Sequence, residues 1–155
     1  MLLGGKAIAD GATHVYESMA SAIAPMIDLT YGLMADKVII AVGEMRGEMV
    51  EEAMTLTAKT GTCVVTGMGS MLDVDVKLNL FLFTMLQKTL KGNIFGGGNS
   101  HVETPRLVGL YKSGLLKFAE MVTATYPLED INQGYQDMLD GKNIRGVIRY
   151  TEADW

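Results

Sequence analysis

The sequence predicts an α/β fold built on half of a doubly wound parallel sheet, and three observations predict it. Val38-Ile39-Ile40-Ala41-Val42 and Thr62 to Thr66 are short apolar, β-branched runs that are continuous rather than alternating. Such runs are expected of parallel strands covered on both faces. Between them, Met49, Ala53 and Leu56 recur at helical spacing within Gly47 to Lys59, while Glu48, Glu51, Glu52 and Lys59 take the other face, as in an amphipathic helix. Glycines punctuate the unit: Gly43 ends the first run, Thr60-Gly61 stops the helix, and Gly67 and Gly69 close the second run.

The other elements follow in order. Met1 to Ala12 reads as the tail of a helix with a turn at Asp10-Gly11, and His14-Val15-Tyr16 as a short strand. Glu17-Ser18 opens a helix whose apolar face is Met19, Ile23, Met26, Ile27 and Leu33, with Pro25 placed to bend it or to end its first part. Leu72 to Val76 alternates with period two, which fits a short strand or an extended loop. Asp73 and Asp75 there read better as solvated carboxylates than as metal ligands. Leu78 to Leu86 is apolar nearly all round, so this short helix is either deeply buried or covered by a partner subunit. Thr89 to Phe95 reads as a strand closed by Gly96-Gly97-Gly98, a hinge or a close backbone approach. Thr104-Pro105 has the signature of an N-cap and first helical position, with Gly114 as the stop. Tyr126-Pro127-Leu128 leads into a helix with Ile131, Tyr135, Met138 and Leu139 on one side and Gly141 at its end. Ile144 to Tyr150 is a last strand and Thr151 to Trp155 a polar tail.

Composition narrows the function classes. The 155 residues are 48% hydrophobic and 20% charged, a globular balance. A net charge of -5 with scattered basic residues gives no footprint for nucleic acid or for an anionic membrane. No apolar run reaches membrane-spanning length. One cysteine, Cys63, falls in a predicted buried strand, which rules out a disulfide within the chain and fits a cytoplasmic protein. His14 and His101 form no metal-ligand spacing, and there is no G-x-S-x-G elbow and no P-loop. Ligands of open α/β sheets bind outside the carboxyl ends of the strands. Gly43, Gly67 and Gly69 sit at those ends, as ligand contacts or as tight turns.

Six blocks together carry a family likeness: GATHVYES (Gly11 to Ser18), DKVIIAVGE (Asp36 to Glu44), GTCVVTGMG (Gly61 to Gly69), LKGNIFGG (Leu90 to Gly97), PRLVGLYKSGLL (Pro105 to Leu116) and TYPLEDINQGYQDMLDGKNIRGVI (Thr125 to Ile148). In this order they resemble the C-terminal portion of the zinc-type medium-chain alcohol dehydrogenases, closest to the branch with class III and nicotinoprotein-like members. The resemblance implies that residues 1–95 are the second half of a Rossmann NAD-binding domain and 96–155 the C-terminal part of the catalytic domain. It implies that the main chain at Thr66, Asn93 and Phe95 holds the nicotinamide carboxamide. Val42, Gly67 and Met68 would flank the ring, Gly43 would stand among the cofactor-binding residues, and Arg145 would reach the pyrophosphate. Met68 and Ile94 would border the substrate pocket, and residues 78–95 would pair in a homo-oligomer, a dimer in the family. Glu44 stands where many relatives carry arginine.

By the same resemblance the G-x-G-x-x-G fingerprint, the acidic residue that reads the ribose and all zinc ligands would lie upstream of Met1. The chain is then expected to be a fragment of an NAD-dependent alcohol dehydrogenase, acting on a small alcohol or aldehyde as part of the whole and inactive alone. No residue of this chain is expected to be catalytic, and the zinc of the parent enzyme would not be bound here. The alternatives are a non-catalytic α/β assembly module or one chain of a split dehydrogenase.

Overall fold

The computed structural model describes residues 7–9, 11–72 and 74–152. They fall into two compact units, one up to Gly98 and one from Asn99.

The first unit is a three-stranded parallel sheet, order β1-β2-β3, with β1 Ala35–Ile40, β2 Thr57–Val65 and β3 Thr89–Gly92. Helix α1, Met19–Thr30, precedes β1, α2, Gly47–Leu56, joins β1 to β2, and α3, Leu80–Met85, leads into β3. The parallel βαβ pattern expected from periodicity is therefore present. Helix α1 starts where Glu17-Ser18 predicted it: Ser18 and Ser21 form a reciprocal capping box, and the helix runs on through Pro25. It stops at Tyr31 in the left-handed conformation, φ 52°. Helix α2 packs on α1, β1 and β2, and its inner face is Val50, Ala53, Met54 and Leu56. With Ile40, Met45 and Cys63, three of these residues (Val50, Ala53 and Met54) form the core of the unit, and Val38, Val65, Phe83 and Leu90 pack against it.

Three expectations are corrected here, and an open alternative is decided. His14-Val15-Tyr16 is not a strand, because β-structure needs a paired ladder and this run has no pairing partner among the described residues. Thr60-Gly61 does not stop α2. The helix ends at Leu56, where the Thr57 N–H and the Thr57 hydroxyl donate to the Met54 and Ala53 carbonyls. The chain then enters β2 at once, and Thr60 and Gly61 form a bulge between the Ala35–Thr57 and Lys37–Thr62 pairs. Thr60, at φ 60°, donates its N–H to the Leu86 carbonyl at 2.8 Å, so the bulge is held by the end of α3. Of the two options for Leu72 to Val76, the described residues follow the loop and not the strand, and Asp73 lies outside the described residues. Finally, the sheet is not covered on both faces within the unit, since Ile40 is 3% exposed and its neighbour Ile39 66%.

The second unit has α4, Ser100–Lys112, then β4, Val122–Pro127, paired in parallel with β5, Arg145–Arg149, and α5, Ile131–Leu139, between them. Strand β4 has no counterpart in the sequence reading. Helix α4 begins one turn earlier than Thr104-Pro105 suggests, because the Asn99 side chain accepts the His101 N–H at 3.0 Å and caps it there. Pro105 lies inside the helix. Gly114 and Gly141, at φ 74° and 66°, follow α4 and α5 as the expected stops. No helix among the described residues is long and apolar enough to cross a membrane.

Candidate functional site

The carboxyl ends of β1, β2 and β3 lie side by side, because Ile40 pairs with Val65 and Val65 with Gly92. The backbone stitches these ends together. The Ile40 carbonyl accepts the Thr66 N–H and the Thr66 hydroxyl, each at 3.0 Å, and the Asn93 N–H donates to the Val65 carbonyl at 2.9 Å. Beyond the strands, Glu44 and Met68 form a parallel bridge, and the Met45 N–H donates to the Met68 carbonyl at 3.1 Å.

This geometry separates the roles of the three glycines. A methyl carbon on Gly67 would stand 2.6 Å from the Val42 carbonyl oxygen, and one on Gly69 would stand 2.9 Å from the Met45 carbonyl oxygen. Those two glycines let the post-strand segments touch each other. Nothing lies within 4 Å of the same position on Gly43, so the space beside it is open.

After β3 the chain turns through Phe95, Gly96 and Gly97 with φ of 49°, 80° and 68°. A non-glycine residue held in the left-handed region costs about 1–2 kcal/mol, and such strain concentrates where a site needs a particular backbone direction. Gly97 is further constrained, because a methyl carbon there would meet Asn93 Oδ1 at 2.5 Å. Among the described residues no hydrogen bond is made to the Thr66 or Asn93 carbonyl oxygens or from the Phe95 N–H. Around these free main-chain groups stand exposed apolar side chains, with Met68 at 74%, Ile94 at 62% and Phe95 at 96%. Val42, Gly43, Thr66, Gly67, Met68, Asn93, Ile94 and Phe95 thus all fall on or just beyond this one edge of the first unit.

Arg145 belongs to the second unit, where it opens β5 opposite Val122. That unit contains a polar network the sequence did not reveal. The Tyr126 hydroxyl donates to Asp137 Oδ2 at 2.9 Å and accepts from Asn143 Nδ2 at 3.0 Å. Asp137 also accepts from Gln133 Nε2 at 2.9 Å and from the Lys142 ammonium at 3.4 Å. These bonds, Gln133 first and then Tyr126, hold the Asp137 carboxyl below its ordinary range. No sequence signal marks the network, since the glycines that make room for the tyrosine are near it only in space: methyl carbons on Gly146 and Gly134 would meet the Tyr126 ring at 2.9 and 3.3 Å.

Zinc would need three protein ligands, and among the described residues no three His, Cys, Asp or Glu side chains are grouped to hold a metal ion. Cys63 is fully buried and burial pushes its thiol pKa up, which makes it a poor nucleophile.

In open parallel sheets ligands bind at this carboxyl edge, and residues 6–113 match the family described as zinc-binding dehydrogenase. The chain belongs to that family, and it corresponds to the C-terminal portion of the zinc-type medium-chain alcohol dehydrogenases. It is 55% identical over 149 residues to alcohol dehydrogenase B of Mycobacterium tuberculosis, covering 96% of this chain and 40% of that protein. To the NDMA-dependent alcohol dehydrogenase of Amycolatopsis methanolica it is 42% identical over 146 residues, covering 94% and 39%. The chain therefore spans about two fifths of the length of these curated relatives. The crystal structure of benzyl alcohol dehydrogenase from Acinetobacter calcoaceticus superposes with a TM-score of 0.83 at 22% identity, over 96% of this chain and 40% of that one. That likeness establishes the mixed α/β, Rossmann-like fold.

Proposed function

We propose that this chain supplies the nicotinamide end of an NAD site in an alcohol dehydrogenase whose remaining parts it does not itself contain. The observation that carries the reading is the set of three main-chain groups at one sheet edge that have no partner among the described residues, the Thr66 and Asn93 carbonyls and the Phe95 N–H. A carboxamide offers two N–H donors and one carbonyl acceptor, which is the complement of that set. The two carbonyls would accept from its NH2 and the Phe95 N–H would donate to its oxygen, fixing which ring face is turned toward substrate. Val42 and Met68 would wall the ring and exclude water, the open space beside Gly43 would admit it, and Met68 with Ile94 would border an alcohol or aldehyde. When bound, the cofactor supplies the hydride acceptor or donor. Arg145 is proposed as the pyrophosphate contact. With no metal-ligand cluster among the described residues, no metal step is assigned to this chain, and it is expected to be inactive by itself and cytoplasmic.

The test is amide NMR of the full chain titrated with nicotinamide mononucleotide. Saturable shifts at Thr66, Asn93 and Phe95, with no alcohol oxidation until the upstream part of a relative is added as a second polypeptide, are the expected result. Shifts confined to other residues, or none, would overturn the reading. A second reading, an assembly module that joins copies through residues 78–95, is favoured by the exposure of Leu80 at 69% and Phe81 at 71%. A monomer at all concentrations in sedimentation would remove it.

A further inference from the structure

The amino ends of the three strands, opposite the edge described above, border a half-open cavity of about 400 Å³. Leu33 and Met34 before β1, Met54 of α2, Leu82 and Phe83 of α3, and Lys88 immediately before β3 line it. The walls are mainly apolar, yet a partly buried ammonium sits among them. Lys88 Nζ donates to the Met54 carbonyl at 2.6 Å, the same carbonyl that accepts the Thr57 N–H at the end of α2. That uses one of its three N–H donors. Among the described residues no carboxylate pairs with it. Burial lowers its pKa, as expected of a cation removed from water without a counter-charge. The charged lining is two lysines, Lys59 and Lys88, against one exposed acid, Glu51.

An apolar cavity with one under-compensated cation is complementary to an anion carried on a hydrocarbon tail. We propose that this cavity binds a medium-chain aliphatic carboxylate, its head group on Lys88 Nζ and its tail against Leu33, Met54, Leu82 and Phe83. The charge-assisted hydrogen bond would fix the head, and the lining would take the tail out of water. This site lies at the other end of the sheet from the nicotinamide edge and does not depend on that reading.

The experiment titrates the full chain, followed by amide NMR, with butanoate, hexanoate, octanoate and octan-1-ol. The expected result is saturable shifts at Thr57, Phe83 and Lys88 and not at Thr66, Gly67 or Asn93, with affinity rising about fourfold for each added CH2. Octanoate should bind about tenfold or more tightly than octan-1-ol, and Lys88→Met should erase that preference. Because Lys88 also ties down the end of α2, a second variant, Leu82→Glu, leaves that hydrogen bond in place at a half-exposed position and should abolish octanoate binding by repelling it. Equal affinity for the acid and the alcohol, no dependence on tail length, or unchanged binding in Lys88→Met would each overturn the proposal. So would octanoate affinity that falls as chain concentration rises together with self-association in sedimentation, which would make the cavity an interface between copies.

Discussion

Substituting Gly67 by alanine tests whether the close approach of two chain segments, rather than a ligand, is what requires a glycine at the end of β2. The added carbon would fall 2.6 Å from the Val42 carbonyl oxygen and 3.2 Å from Val42 Cγ2. A relaxed carbon–oxygen contact is about 3.3 Å or more, so the two segments must part by roughly 0.7 Å. That movement takes the bond from the Met45 N–H to the Met68 carbonyl, now 3.1 Å, out of hydrogen-bond range. One lost hydrogen bond costs about 1 kcal/mol, and overpacking typically costs about 1–3 kcal/mol in total. The expected destabilisation is therefore about 2 kcal/mol, or about 10 °C in Tm for a unit of this size. Gly43→Ala is the internal control, because its methyl meets nothing within 4 Å and its φ is not in the left-handed region. It should be neutral or stabilise by up to about 1 kcal/mol through the unfolded chain. Thermal and urea unfolding followed by circular dichroism, with the Cys63 and Val65 amides as NMR reporters, measures both. If Gly67→Ala is no more destabilising than Gly43→Ala, the argument from backbone contact fails.

Two further outcomes are expected. Cys63, fully buried in β2 with its thiol pKa raised by burial, should react with a disulfide reagent only as fast as the first unit opens, and at the free-thiol rate in urea; rapid stoichiometric labelling of the native chain would contradict its placement. In the second unit, Asp137 is held below the ordinary carboxylate range by Gln133, Tyr126 and Lys142, so its folded pKa lies under its unfolded one. The stability it adds is present above about pH 4 and is lost as pH falls through the lowered folded value. Tyr126→Phe and Asp137→Asn should both flatten that acid limb, and an unchanged limb in the two variants would show that the network does not act.

The βαβ arrangement was legible because it rests on local rules. Apolar runs of strand length, a helix with an inward stripe and glycines at the turns predict β1, α2 and β2 without any contact being known. The same rules put Ser18 at the start of α1 and Gly114 and Gly141 at helix stops, where the structure has them. They failed where pairing or capping partners decide the outcome. His14 to Tyr16 has strand-like residues but no pairing partner among the described residues, whereas the polar-looking Val122–Pro127 run becomes a strand because β5 pairs with it. Asn99 outcompetes Thr104 as the cap because its side chain reaches the His101 N–H.

For the candidate site, the sequence by itself pointed to the strand ends, where Gly43, Gly67 and Gly69 stand, and the further residues expected there follow from the family blocks. Only the tertiary structure decided which of these glycines the backbone contacts require. Parallel register sets the ends of β1, β2 and β3 side by side, so that Gly67 and Gly69 serve backbone contact and Gly43 borders open space. The left-handed turn at Phe95, the unpaired carbonyls of Thr66 and Asn93, and the placement of Lys88 at the opposite end of the same sheet are equally invisible in the chain. The physical reason is that periodicity reports which face a residue belongs to. Which hydrogen-bond groups remain without a partner depends on segments tens of residues apart.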